Sequence, residues 1–330
     1  MTNAVWITWD DHRRSRELSG YWGVKYRIFE YSGSALARYV FLSIRTIKYL
    51  LKSKPGLVVC QNPSVVLSAL LVLVSRIQKF FLIIDRHSNF KIPLRESRHP
   101  KWRAFHYFSD YSIRNADLTI VTNSEAAEYV SALGGKPVIL PDKLPSALVG
   151  GKVTLKGEVN FLLICSFGSD EPIDSILNSF IRLDQKYQVY VTGNFKKYDK
   201  WKSYSDIDNI NFLGFINESD YLDYLASVDA TIVLTDMPMT LNCGSYESVK
   251  VGKPQIVADS PVIKEWFSRG AVYVNPKDED SILHGIKLTI EGLSELTAEQ
   301  NKFSEVIDSK WKILDGRFRE AVYHATGFEL

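Results

Sequence analysis

The sequence predicts an α/β protein built from two parallel-sheet domains. Three features predict it. Short runs rich in β-branched and aliphatic residues, such as AVWITWD, KFFLIID and ATIVLTD, alternate with longer stretches of helical periodicity. A Pro-, Gly- and Lys-rich segment from Pro141 to Gly157 then interrupts that alternation without a period of its own. Beyond it the alternation restarts, as expected of a second unit with its own sheet.

The totals agree. A chain of 330 residues is long for one hydrophobic core and ample for two domains of ordinary size. The composition, 45% apolar and 24% charged, is that of a soluble globular protein, and a net charge of +2 gives no global attraction to nucleic acid. Cys60, Cys165 and Cys243 show no paired spacing and suit a reducing compartment. With no basic and apolar leader at the start, a cytoplasmic location is expected. The uncharged stretch between Lys54 and Arg76 approaches the length of a bilayer span, but Gln61-Asn62-Pro63 splits it into a strand, a loop and a buried helix.

In chain order, AVWITWD is the first strand. The polar loop Asp10-Asp11-His12-Arg13-Arg14-Ser15-Arg16 follows and leads into a helix ending near Gly20 or Gly23. In an open α/β sheet ligands gather at the carboxyl ends of strands, so Asp10, His12 and Arg13 are acceptor-side candidates. The alternative for the arginines is a solvated helix start. No Gly-x-Gly-x-x-Gly and no Walker A sequence occurs, which argues against a dinucleotide cofactor and a P-loop nucleotidase. KYRIFEY is the second strand. Ala35 to Lys54 is an amphipathic helix expected to bury Leu36, Val40, Phe41, Ile44, Ile47 and Leu51, with Arg38, Arg45, Lys48 and Lys52 on another face. That basic face is either plain surface or a contact with an anionic membrane.

KFFLIID ends in Asp85-Arg86-His87, an acid and an imidazole placed for proton transfer at a strand terminus. Next comes a basic and aromatic segment around Arg95, Lys101, Trp102, Arg103 and Phe105, then the strand ADLTIVTN, a helix from Ser124 and the strand KPVILPD. After the interruption, VNFLLIC, YQVYVTGN and INFLGFI are strands, and Ser219 and Asp220 are expected to cap YLDYLASV. ATIVLTD, a small-residue loop, a short helix capped by Asn242 and ended by Gly252-Lys253-Pro254, and the strand QIVAD complete the pattern. Such a helix start presents backbone N–H groups to a phosphate, and Glu247 one turn in could hold a ribose diol or merely complement the helix dipole. Asp206-x-Asp208 and Asp278-x-Asp280 fall in polar surface runs, so no metal is expected.

Glu247 and Gly252-Lys253-Pro254 resemble the C-terminal motif of GT-B glycosyltransferases, in which an acid, seven residues, Glu-Ala and Gly-x-Pro follow one another. Met239 stands where the first acid, a donor-sugar contact of retaining members, would be. Gln61-Asn62-Pro63 and Ile84-Asp85-x-His87 are similar to motifs of the chitobiosyldiphosphodolichol β-mannosyltransferase family, with Ser64, Arg86 and Ser88 departing from its pattern. The resemblance implies a GT-B architecture, two Rossmann-like parallel-sheet domains facing a central cleft. It places an N-terminal acceptor-side domain over 1–145, a linker over 146–157, a nucleotide-sugar-binding domain over 158–300 and a final helix over 301–330 crossing back.

It also implies a function: transfer of a sugar from a nucleotide-sugar donor to a glycan or lipid-linked acceptor in cell-surface polysaccharide or glycoconjugate synthesis, without metal or cofactor and with inversion. Asn242, Cys243, Gly244, Ser245 and Glu247 would bind the donor together with Gly193, Phe215 and Ile216, the last two at the base. Asp85 or His87 would deprotonate or orient the acceptor hydroxyl; in some relatives such a histidine contacts the donor sugar instead. Asn62 joins the acceptor side, and the acidic pair Asp170-Glu171 is a rival base. Peripheral contact with the inner membrane surface fits a lipid-linked acceptor. The alternatives are a nucleotide-sugar epimerase of the same fold, a non-catalytic nucleotide- or partner-binding protein, and a two-domain binding protein of periplasmic type.

Overall fold

The computed structural model describes residues 3–62, 64–87, 91–146, 148 and 150–330. They divide into two compact units, one of residues 1–142 with 311–330 and one of residues 143–310.

The first unit contains β1 (Ala4–Thr8), α1 (Arg13–Tyr21), β2 (Lys25–Ile28), α2 (Ala35–Ser53), β3 (Leu57–Asn62), α3 (Val65–Gln78), β4 (Phe81–Arg86), α4 (Pro100–Asn115), β5 (Leu118–Val121), α5 (Ser124–Ala132) and β6 (Pro137–Ile139). Its strands form one parallel sheet in the order β2-β1-β3-β4-β5-β6. Every residue of β1 is buried, as suits a strand covered on both faces, whereas edge strand β2 alternates between exposed and half-buried positions. Local chemistry sets the helix starts: Asn123 accepts from Ala126 N–H to cap α5, and Pro100 opens α4 where no donor is needed.

The second unit contains β7 (Val159–Leu163), α6 (Ile173–Ile181), β8 (Tyr187–Thr192), β9 (Ile210–Gly214), α7 (Glu218–Ser227), β10 (Ala230–Val233), α8 (Cys243–Lys250), β11 (Gln255–Ala258), α9 (Pro261–Trp266), β12 (Ala271–Val274) and α10 (Glu279–Glu291). Its parallel sheet has the order β12-β11-β10-β7-β8-β9. The long helix α11 (Leu293–Thr326) belongs to this unit up to Lys310 and to the first unit from Trp311. There Trp311 Nε1 donates to the Pro141 carbonyl at 3.0 Å, Trp22 Nε1 donates to Asp315 at 2.8 Å, and Trp22 stacks on Phe318.

Four local expectations differ from the structure. The α2 stripe is not buried: Leu36 is 77% exposed, Val40 55%, Ile44 48% and Leu51 55%. The helix instead seats Leu42, Thr46 and Leu50, with Thr46 Oγ1 accepting from Trp9 Nε1 at 3.0 Å. Residues 146–157 are no free linker where described, since Gly151, Val153 and Lys156 donate backbone N–H groups to Asp223, Ser227 and Tyr190 of the second unit. Asn217, rather than Ser219 or Asp220, caps α7 by accepting from Asp220 N–H. Asn242 occupies the N-cap position just before α8, yet its side chain makes no capping bond.

Candidate functional site

Each sheet has a point where the chain reverses its direction of strand addition, and loops on either side of such a point leave a crevice at the carboxyl ends of the strands. In the first unit it lies between β1 and β3, so the residues after β1 and β3 flank it. In the second it lies between β7 and β10, so the loops after β7 and β10 do.

At the first crevice the organising group is Arg14, one residue into α1. Its side chain is buried, with Nε donating to both carboxylate oxygens of Asp85 at 3.1 Å, Nη1 to Asp142 at 2.5 Å and Nη2 to the Leu140 carbonyl at 2.8 Å. Asp85, fully buried at the end of β4, lies 3.1 Å from His87 Nδ1. Burial alone would raise the Asp85 carboxyl, but the charges of Arg14 and His87 outweigh it and hold the group well below the usual carboxylate range. An ionised carboxylate can only accept, so the Nδ1–H of His87 is the donor in that hydrogen bond. His12 packs its ring 4.7 Å from that of His87. Burial first, then the neighbouring His87, pushes the His12 pKa down.

The structure thus brings together His12, Arg14, Asp85 and His87. Asp10 instead pairs with Arg38 at 2.5 Å, and Arg13 pairs with Glu17 at 2.8 Å along the exposed side of α1. The side chain of Asn62 lies outside the described residues, as do Pro63 and Ser88 to Phe90. Arg86, fully buried, sets its guanidinium 5.9 Å from the centre of the Phe105 ring, and burial pushes its pKa down to about 9.

The second crevice is lined by α8 and the loop after β7. Gly244 is buried at the start of α8, where a Cβ would come within 2.9 Å of the Ile164 side chain. Gly193, at the end of β8, has φ +90° and leaves only 2.4 Å between the site of a Cβ and the Cys165 carbonyl oxygen. Ser245 N–H donates to the Asn242 carbonyl at 3.1 Å, so one of the three expected anion donors is engaged within the helix. Cys243 is exposed, and Asn242 Oδ1 is buried without a hydrogen-bond partner among the described residues. Glu247 accepts a hydrogen bond from the Tyr221 hydroxyl at 2.5 Å. Phe215 is 89% exposed just after β9, beside half-buried Ile216.

The acidic loop is occupied with its own architecture. Glu171 accepts from the backbone N–H groups of Ser166 at 3.0 Å and Gly168 at 2.7 Å. Asp170 accepts from Thr235 Oγ1 at 2.6 Å, and its carbonyl accepts from Asp236 N–H at 2.9 Å, which fastens the loops after β7 and β10 together. Asp278 caps α10.

Arg14 is not among the candidate site residues legible in the sequence, where a crevice-facing loop and a solvated helix start both stand open for the arginines after β1. A signal was available: Arg14 and Leu18 are four residues apart and share the inward side of α1.

No protein-family model and no curated protein matches the chain. Solved structures do. The chain is similar to the sucrose-phosphate synthase of Thermosynechococcus elongatus, with a TM-score of 0.80 at 11% identity, over 98% of this chain and 100% of that one. It is similar to HepE of Anabaena, solved in complex with UDP, with a TM-score of 0.73 at 13% identity over 98% and 100% of the two chains. A UDP-GlcNAc 2-epimerase from Methanocaldococcus jannaschii gives 0.57 at 12% identity, over 86% and 92%. Together with the two six-stranded parallel sheets, these likenesses identify the fold as GT-B.

Proposed function

We propose that the protein is a nucleotide-sugar-dependent glycosyltransferase, a hexosyltransferase acting on a glycan or lipid-linked saccharide in envelope polysaccharide or glycoconjugate synthesis. The observation that carries this reading is the full-length likeness to a UDP-bound protein combined with a glutamate, Glu247, fixed by Tyr221 one turn into the helix at the second unit's reversal point. In this reading Glu247 accepts from the ribose diol, and the backbone N–H groups of Cys243 and Gly244 meet the diphosphate with the positive end of α8. No Lys or Arg occurs from Ser166 to Glu171, so the helix start carries more of that charge than a basic loop would leave to it. Gly193 keeps the backbone close there, and Phe215 and Ile216 meet the base.

On the acceptor side, His87 Nε2 takes the proton of the attacking hydroxyl as the new C–O bond forms at the anomeric carbon. The bond from that carbon to the diphosphate oxygen breaks, and the nucleoside diphosphate leaves with the electron pair. Asp85 is a positioning residue here: with Arg14 holding both its oxygens, it fixes the His87 tautomer and stabilises the imidazolium that forms. Direct displacement of this kind inverts the anomeric centre and calls on no metal.

Replacing a general base costs about 100- to 10,000-fold in rate. His87→Ala is therefore expected to lose turnover by that order, measured as transfer or hydrolysis of a labelled nucleotide sugar, with donor affinity largely kept. A variant turning over at the wild-type rate would remove His87 from the chemistry. The likeness to the epimerase favours one other reading, isomerisation of the nucleotide sugar itself. Incubating UDP-GlcNAc with the protein and no acceptor separates the two, since epimerisation without transfer would replace the transferase reading.

A further inference from the structure

A helix packed on a sheet normally keeps its apolar residues inward, but α2, which seats Leu42, Thr46 and Leu50 in the core, carries a second apolar stripe outward. Leu36, Val40, Ile44 and Leu51 follow one another at intervals of four and seven residues on one side of the helix, all exposed, with half-buried Ile47 among them. The neighbouring helix α3, which packs against α2, presents Leu73 at 53% and Ile77 at 83% exposure in the same manner. Exposed apolar side chains repeating along one side of α2, with two more on the helix packed against it, mark a candidate contact surface.

The charge beside the patch selects its occupant. Lys48 and Lys52 are exposed next to the α2 stripe on the helix circumference, and Arg45 follows, its guanidinium lying over the Phe29 and Phe41 rings at 5.7 and 5.5 Å. No Asp or Glu occurs anywhere between Glu30 and Asp85, so α2 and α3 carry only positive charge. A second copy seated on this face would bring together two surfaces whose only charges are positive, which like-charge repulsion opposes. An apolar stripe bordered by lysines and arginines is instead the pattern of a helix lying in the plane of a membrane interface, its aliphatic side chains among the acyl chains and its cations at the headgroups.

We propose that the outward face of α2, extended by Leu73 and Ile77 of α3, docks the protein on an anionic phospholipid surface. This stands apart from the glycosyltransferase reading, because it rests on a face of the first unit that the proposed chemistry does not use.

Flotation of the full chain with vesicles tests it, comparing 3:1 phosphatidylcholine:phosphatidylglycerol with pure phosphatidylcholine. Each basic side chain near an anionic surface is worth about fivefold in partitioning. Lys48→Gln/Lys52→Gln is therefore expected to lower binding to the anionic vesicles about 25-fold. Val40→Ser/Ile44→Ser is expected to lower binding on both compositions. Both pairs are exposed, so an unchanged circular dichroism spectrum and melting temperature confirm that the variants fold. The proposal is overturned if the wild-type protein does not float with anionic vesicles, if it binds both compositions equally, or if either variant binds as wild type. It is also overturned if sedimentation shows a dimer that Val40→Ser/Ile44→Ser dissociates, since the face would then belong to a second copy.

Discussion

Asp85 is buried to the last atom and still charged, because Arg14 donates to both its oxygens and His87 to one of them. A carboxyl held below its ordinary pKa of about 3.9 contributes stability that is fully present above that value. The contribution is lost as pH falls toward the lower folded-state value, because the unfolded chain takes up the proton first. The wild-type protein is thus expected to lose stability as pH drops below about 4. Asp85→Asn leaves the Arg14 guanidinium buried with Asp142 as its remaining carboxylate partner, and is expected to cost about 3 kcal/mol at neutral pH. It should also flatten the acid limb. Urea unfolding at a series of pH values checks both, and an Asp85→Asn protein with wild-type stability and the same acid slope would show the pair to be energetically idle.

At the scale of elements, the two glycines of the second crevice differ in what they tolerate. A Cβ on Gly244 would meet the Ile164 side chain at 2.9 Å, and a side chain can shift. On Gly193 it would meet the Cys165 backbone oxygen at 2.4 Å, at a φ of +90° that L residues rarely adopt. Overpacking costs about 1–3 kcal/mol and a strained backbone about as much again. Gly193→Ala is accordingly expected to lower the melting temperature more than Gly244→Ala, and the reverse order in a thermal melt would contradict this account of the loop. Elements themselves were legible where a short apolar run met a turn residue. Gly252 stops α8 with φ +69°, as the Gly-x-Pro spacing predicts. Periodicity could not say which side of α2 faces the sheet, because both Leu42-Thr46-Leu50 and Leu36-Val40-Ile44 repeat every four residues. The polar Thr46 made the true core face look like the poorer one, and only its bond to Trp9, distant in sequence, reveals why it is buried.

At the scale of the whole molecule, the alternation of strands and helices made both sheets legible, because a parallel sheet needs a crossover between successive strands. Strand order was not legible in the same way: it places the loops after β7 and β10 side by side, and the Asp170–Thr235 bond that joins them links residues 65 positions apart. The same holds on the other sheet, where Arg14 reaches Asp85 and Asp142 from a distant part of the chain. No helix among the described residues is long and apolar enough to cross a membrane.

Calorimetric titration with a panel of nucleoside diphosphates, UDP among them, bears most directly on the central claim. Wild-type protein should bind at least one of them saturably at one site, and Glu247→Ala should bind it about 10- to 100-fold more weakly, as loss of a charged hydrogen-bond partner worth about 1.5–3 kcal/mol requires. Absence of binding by every nucleotide, or equal affinity in the two proteins, would contradict the claim that this helix start holds a nucleotide.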